Sequence, residues 1–229
     1  MRTTANKSNM KRNCGVNKQS TNKSKGSVMD TKENNSNESG ISEADLKELA
    51  TQAAQGDAMA QTYLGVLYCD GLGVPQDYAQ ARVWFEKAAA QGYAPAQEIL
   101  GLLYHSGQGV PQDYAQARQW YEKAAAQGDA MAQLCLGRLY AEGLGVPQDY
   151  QAARQWYEKA AAQGDAMAQA DLFWMYYRGE GVPQDYAQAR AWWEKVAAHD
   201  DEIVQYNLRL LLEKGIQHGL VKFMQSNVS

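Results

Sequence analysis

Gly71-Leu72-Gly73-Val74-Pro75-Gln76-Asp77-Tyr78 returns as Gly107 to Tyr114, Gly143 to Tyr150 and Gly179 to Tyr186, and Pro75, Pro111, Pro147 and Pro183 follow one another at a fixed step of 36 residues. A fixed period of this size marks stacked supersecondary units. The stretch itself reads as a connection between two helices. Gly71 and Gly73 supply the left-handed backbone with which helices end. Pro75 fixes an extended entry. Asp77 stands where a side-chain oxygen caps a second helix, with Gln80 at the reciprocal position of a capping box. In the third repeat Gln151-Ala152 displaces that glutamine, which predicts a weaker box there.

On either side of the connection the apolar residues recur at helical spacing. Ahead of it, Ala60, Leu64, Leu67 and Tyr68 share one face of a helix A. After it, Tyr78, Ala81, Trp84 or Phe85, Ala88 and Ala89 form the buried face of a helix B. The large aromatic of helix B is read as Trp84, Trp120, Trp156 and Trp192, each contributing on the order of 3 kcal/mol on burial. Gly101, inside helix A, is read as the point where helices A and B approach closely. Neither helix can bury its face alone, so the fold class is all-α, an α-solenoid of antiparallel helix pairs wound as a right-handed superhelix. The repeats are 57–92, 93–128, 129–164 and 165–200.

An N-terminal capping helix is predicted over 42–55, with Ser42 as its cap, Asp45 three residues on, and Ile41 and Leu46 as a hydrophobic staple. At the other end Phe173 replaces the glycine of the series Gly65, Gly101 and Gly137, and Gln-Gly becomes His199-Asp200. A helix over 201–214 is predicted to cap the array, and 216–229 to form a C-terminal tail. Residues 1–40 are rich in Asn, Ser, Lys and Thr, and are predicted to be a disordered tail. They carry eight Lys/Arg against three Asp/Glu, a balance of +5, while the rest of the chain carries 14 against 23, a balance of −9. An acidic body argues against nucleic acid as the partner.

The pattern Leu64-Gly65-x-Leu67-Tyr68-x-x-Gly71-x-Gly73-Val74-x-x-Asp77-Tyr78-x-x-Ala81-x-x-Trp84-x-x-Lys87-Ala88-Ala89-x-x-Gly92 resembles the Sel1-like repeat, a relative of the tetratricopeptide repeat, over about residues 43–215. The resemblance implies a non-enzymatic scaffold or adaptor that binds a partner protein or peptide in a concave groove lined by the A helices. An immunity or antitoxin-like neutraliser is the alternative. A cysteine-rich branch of the family is associated with β-lactam binding or hydrolysis; it carries paired cysteines in each repeat, and Cys14, Cys69 and Cys135 do not pair in this way.

Comparing the repeats with one another separates what the fold dictates from what it does not. Helix B is nearly constant. Helix A varies at its sixth, tenth and thirteenth positions, which share a face opposite the core stripe. The candidate partner-binding residues are therefore Thr62, Val66, Glu98, Leu102, His105, Leu134, Arg138, Ala170, Trp174, Tyr177, Tyr206 and Leu210, with Cys69, Ala141 and Glu213 completing the ladder. Trp174, Tyr177, Tyr206 and Arg138 are of the types that anchor interfaces.

Catalytic residues, metal ligands and cofactors are not expected. His105, His199 and His218 share no motif, and no phosphate loop or nucleophile elbow follows a strand. Ser8-x-x-Lys11 and Ser20-x-x-Lys23 match a β-lactamase motif in letters only, without its companion elements. Without an apolar stretch after its basic residues, the start of the chain does not read as a secretory signal. Cytoplasmic residence is the expectation, with signal-independent export as the alternative, for a chain acting as a monomer and without a transmembrane segment.

Overall fold

A computed structural model describes residues 41–199, which form nine helices: α1 (Glu43–Ala54), α2 (Ala58–Asp70), α3 (Tyr78–Ala90), α4 (Ala94–Ser106), α5 (Tyr114–Ala126), α6 (Ala130–Glu142), α7 (Tyr150–Ala162), α8 (Ala166–Arg178) and α9 (Tyr186–Ala197). The predicted C-terminal capping helix and both tails lie outside the described residues. Each helix packs on the next in the chain, so helices A (α2, α4, α6, α8) and B (α3, α5, α7, α9) alternate in a solenoid. α1 occupies the place of a B helix with no A helix before it among the described residues.

The helix ends follow the sequence signals. Gly71, Gly107, Gly143 and Gly179 end the A helices in the left-handed conformation, at φ of 69°, 73°, 68° and 74°. In the three later turns the second glycine has a further duty: a Cβ on Gly109 would stand 2.5 Å from Cβ of Tyr78, at the start of the preceding repeat's helix B. Close approach between repeats therefore demands it. Ser42 caps α1 through the Asp45 amide, and Ile41 and Leu46 both pack on the first core cluster.

Asp77, Asp113, Asp149 and Asp185 cap the B helices, each accepting two backbone N–H groups. The predicted reciprocal bond from Gln80 is not part of this cap. The Asp77 N–H donates instead to the carbonyl of Tyr68 at 2.8 Å, and Asp149 does the same to Tyr140 at 2.9 Å. That acceptor belongs to helix A, so the displaced glutamine of the third repeat weakens nothing. Asp149 caps with the same distances as Asp77.

A second correction concerns the aromatics of helix B. The fully enclosed ring is the following one, Phe85, Tyr121 and Tyr157, whereas Trp84, Trp120, Trp156 and Trp192 are half-buried. The tryptophans lie at the rim because the ring behind them already fills the space between the helices. Their outer faces carry Lys87, Lys123, Lys159 and Lys195, with Nζ 3.8–4.0 Å from the ring centre. Each such cation–π contact contributes roughly 0.5–1 kcal/mol at an exposed site.

Glutamines join the repeats. Gln91 donates to Gln61, whose own Nε2 donates to the Ala53 carbonyl at the end of α1. Gln127–Gln97–Ala89 and Gln163–Gln133–Ala125 repeat the relay, and His199 takes the final place against Gln169.

Candidate functional site on the A-helix layer

The A helices also meet one another across repeats: α4 touches α6, and Arg138 of α6 donates through Nε to Oδ2 of Asp171 on α8 at 3.0 Å. This flank contact reshapes the predicted ladder. At the sixth position Thr62, Leu134 and Ala170 are buried, and only Glu98 is half-exposed. At the thirteenth, Cys69 and His105 are buried while Ala141 and Tyr177 are half-buried. The tenth position, Val66, Leu102, Arg138 and Trp174, is half-buried throughout. The stripe opposite the core is thus narrower than a lone helix would suggest, because the neighbouring repeat covers its margins. Tyr206, Leu210 and Glu213 lie outside the described residues.

In the middle of the layer the ladder is polar. Burial raises the Asp171 carboxyl, and the charge and hydrogen bond of Arg138 draw it part of the way back. Burial also raises Glu98, to about 7, with a smaller push from the Asp129 carboxylate. His105 is lowered by burial and then by Arg138, so it stays neutral at physiological pH. Its ring stands edge-on to Tyr114 and Tyr121 at centroid distances of 5.2 and 6.5 Å. Its Nδ1 has no hydrogen-bond partner among the described residues. The Cys135 thiol is pushed up to about 12, chiefly by burial and then by Glu98. A thiol so protonated is no nucleophile at neutral pH. Among the described residues no group of His, Cys, Asp or Glu is gathered as a metal site demands.

In the fourth repeat the ladder is aromatic. Phe173 fills the position that is glycine in the other three, and is fully buried. Its ring lies 5.4 Å from Trp193, the residue equivalent to the enclosed Tyr157, and Trp193 is only half-buried. One ring has displaced the other toward the surface. Trp174 and Tyr177 gather around Phe173 at 4.9 and 5.7 Å, Tyr186 adjoins Tyr177 at 5.7 Å, and the Arg178 guanidinium lies 4.6 Å over Trp174. The sequence identified Trp174 and Tyr177 but not that Phe173 and Trp193 hold them. The exchange of a periodic glycine for phenylalanine was the available signal.

Period, paired helices and left-handed glycine ends define a helical-repeat solenoid whose varied side chains collect on one layer. Its repeats are Sel1 repeats, matched over 58–93, 94–129, 129–165 and 166–201, and the chain belongs to that family. It is similar to the crystal structure of c5321, a protective antigen of uropathogenic Escherichia coli strains that displays the same repeat fold, with 42% identity over 74% of this chain and a TM-score of 0.68. It is also similar to a Sel1 repeat protein from Oxalobacter formigenes, with 40% identity over 69% of this chain and a TM-score of 0.64. The chain spans 36% of the first protein and 65% of the second. No curated protein matches it. Sel1 repeats generally serve as scaffolds for protein–protein interaction, and no helix among the described residues is long and apolar enough to cross a membrane.

Proposed function

We propose that this protein is a non-enzymatic adaptor that holds a partner protein or peptide along its A-helix layer, with the anchor at the α8 aromatics. The observation that carries this reading is the cluster of Trp174, Tyr177 and Trp193 around Phe173. It departs from the period of the array and leaves half-buried aromatic faces beside a guanidinium. Aromatic and arginine side chains on a rigid element are the types that concentrate binding energy. Contact between successive A helices supports placing them on the inner side of the stack's curvature, where a groove would lie.

The test is selection of a displayed peptide library on the full chain, followed by affinity measurement on Trp174→Ala/Tyr177→Ala. Selected peptides should lose at least tenfold in affinity on a double variant whose circular dichroism and melting stay native-like. Undiminished affinity would remove the α8 cluster from recognition.

A further inference from the structure

The charges of the solenoid are divided between its layers. Each B helix with its cap is neutral: α3 combines Asp77 and Glu86 with Arg82 and Lys87, and α5, α7 and α9 repeat that set. The A helices and their caps are not balanced. α2 adds Asp57 and Asp70 and no cation, and α4 adds Glu98. α6 sets Asp129 and Glu142 against Arg138, and α8 sets Asp165 and Asp171 against Arg178. With Glu98 counted as ionised, the four A helices carry −5 and the four B helices zero, while α1, in the place of a B helix at the end of the stack, carries −2 from Glu43, Asp45 and Glu48 against Lys47. Arg138 is already engaged by Asp171.

The A layer is therefore short of cations, and the same chain holds a surplus elsewhere. Residues 1–40 carry a balance of +5, with Lys7, Lys11, Lys18, Lys23 and Lys25 spread along them. The tether favours the encounter. A flexible chain of that length has a root-mean-square span of about 35 Å. Neighbouring helices stand roughly 10 Å apart, so four A helices span roughly 30 Å. The local concentration of a segment so tethered reaches the millimolar range.

We infer that the basic segment 1–40 docks in cis on the acidic A-helix layer of its own solenoid, where it competes with any partner for that surface. The contact is electrostatic and spread over several carboxylates, so it weakens with salt as the screening length shortens from about 10 Å at 0.1 M to about 3 Å at 1 M. A basic peptide bound in trans would then have to displace the segment, and binding would tighten when the segment is removed. The contact does not depend on the α8 aromatics, so it stands or falls separately from the adaptor reading.

The test uses the full chain, 15N-labelled, with a nitroxide on Cys14. Burial of Cys69 and the protonated state of Cys135 favour labelling at Cys14 alone, which mass spectrometry checks. At low ionic strength amide signals of α2, α4 and α6 should broaden at least twofold more than those of α3, α5 and α7, and recover in 1 M NaCl. Equal broadening of both layers, or broadening that salt leaves unchanged, overturns the inference. Zero-length carbodiimide crosslinking of mixed light and heavy wild-type protein is the second measurement. Crosslinks from tail lysines to Asp70, Glu98 or Glu142 within one isotopic chain support docking in cis. Crosslinks found only between light and heavy chains would make a second copy the occupant and overturn it.

Discussion

Gly101 offers the sharpest test of the packing argument. It sits inside α4, where glycine is about 1 kcal/mol less favourable than alanine, so the array must gain something there. A Cβ at this position would stand 2.5 Å from Cδ1 and 3.0 Å from Cγ of Tyr121. The Tyr121 ring is fully enclosed, which blocks the rotation that would make room. Overpacking of a dense core costs about 1–3 kcal/mol. Subtracting the propensity gained leaves Gly101→Ala destabilised by up to roughly 2 kcal/mol, and Gly101→Leu by more. In a domain of this size that lowers Tm by up to about 8 °C. The assay is thermal and urea unfolding followed by circular dichroism. Tyr121→Leu should cost stability alone yet recover part of the loss when combined with Gly101→Ala, a favourable coupling of at least ~0.5 kcal/mol. A raised Tm for Gly101→Ala or an unchanged one for Gly101→Leu would refute the close-approach account, as would strict additivity of the pair.

The raised carboxyl of Glu98 makes stability depend on pH. Its folded value, about 7, lies above the ordinary 4.5, so the folded state binds the extra proton between these values. Its contribution is therefore full below about 4.5 and is lost as pH rises through about 7. Glu98→Gln should remove that slope and add about 2 kcal/mol at pH 8 in urea titrations. His105 works in the opposite sense below 6.5, so the difference between wild type and variant is the quantity to read. Gln97→Ala strands Gln127 and frees the Ala89 carbonyl, and should cost about 1–3 kcal/mol by the same unfolding assay. Asp113→Ala removes a cap that accepts two N–H groups and should cost about 1 kcal/mol, with faster amide exchange confined to the first turn of α5.

Much of this architecture was legible because a repeated sequence states each requirement four times. Period, helix ends and the paired helices follow from glycine, proline and apolar spacing, which act locally and leave marks at fixed positions. The identity of the enclosed ring did not follow. Trp84 and Phe85 are adjacent, both are apolar, and helical phase separates them by only 100°; the neighbouring helix decides, through Gly65 opposite Phe85, whose Cε1 would lie 2.6 Å from an added Cβ. Likewise Gln61 and Gln91 are periodic and polar, and nothing local distinguishes a solvated glutamine from one that bridges two helix ends. The capping box failed for the same reason: the Asp77 amide had a better acceptor in helix A, nine residues earlier and invisible to a four-residue motif.

The site follows from the remainder. In an array whose scaffold duties recur every 36 residues, a side chain that breaks the period is one the scaffold does not demand at that place. Some of these breaks resolve into packing. Leu134 is buried against α8 of the next repeat and Ala170 beside Val196 and Trp193 of α9, and Arg138 with Asp171 forms an ion pair between α6 and α8. Phe173 is different, because its arrival reverses the order of burial that Gly65, Gly101 and Gly137 enforce. It drives Trp193 toward solvent and gives Trp174 and Tyr177 a rigid ring to lean on. Stability alone would be served by the glycine and enclosed ring used three times before. An arrangement that brings four aromatic rings together and leaves three of them half-exposed is better suited to receiving another molecule's apolar side chain than to closing a core.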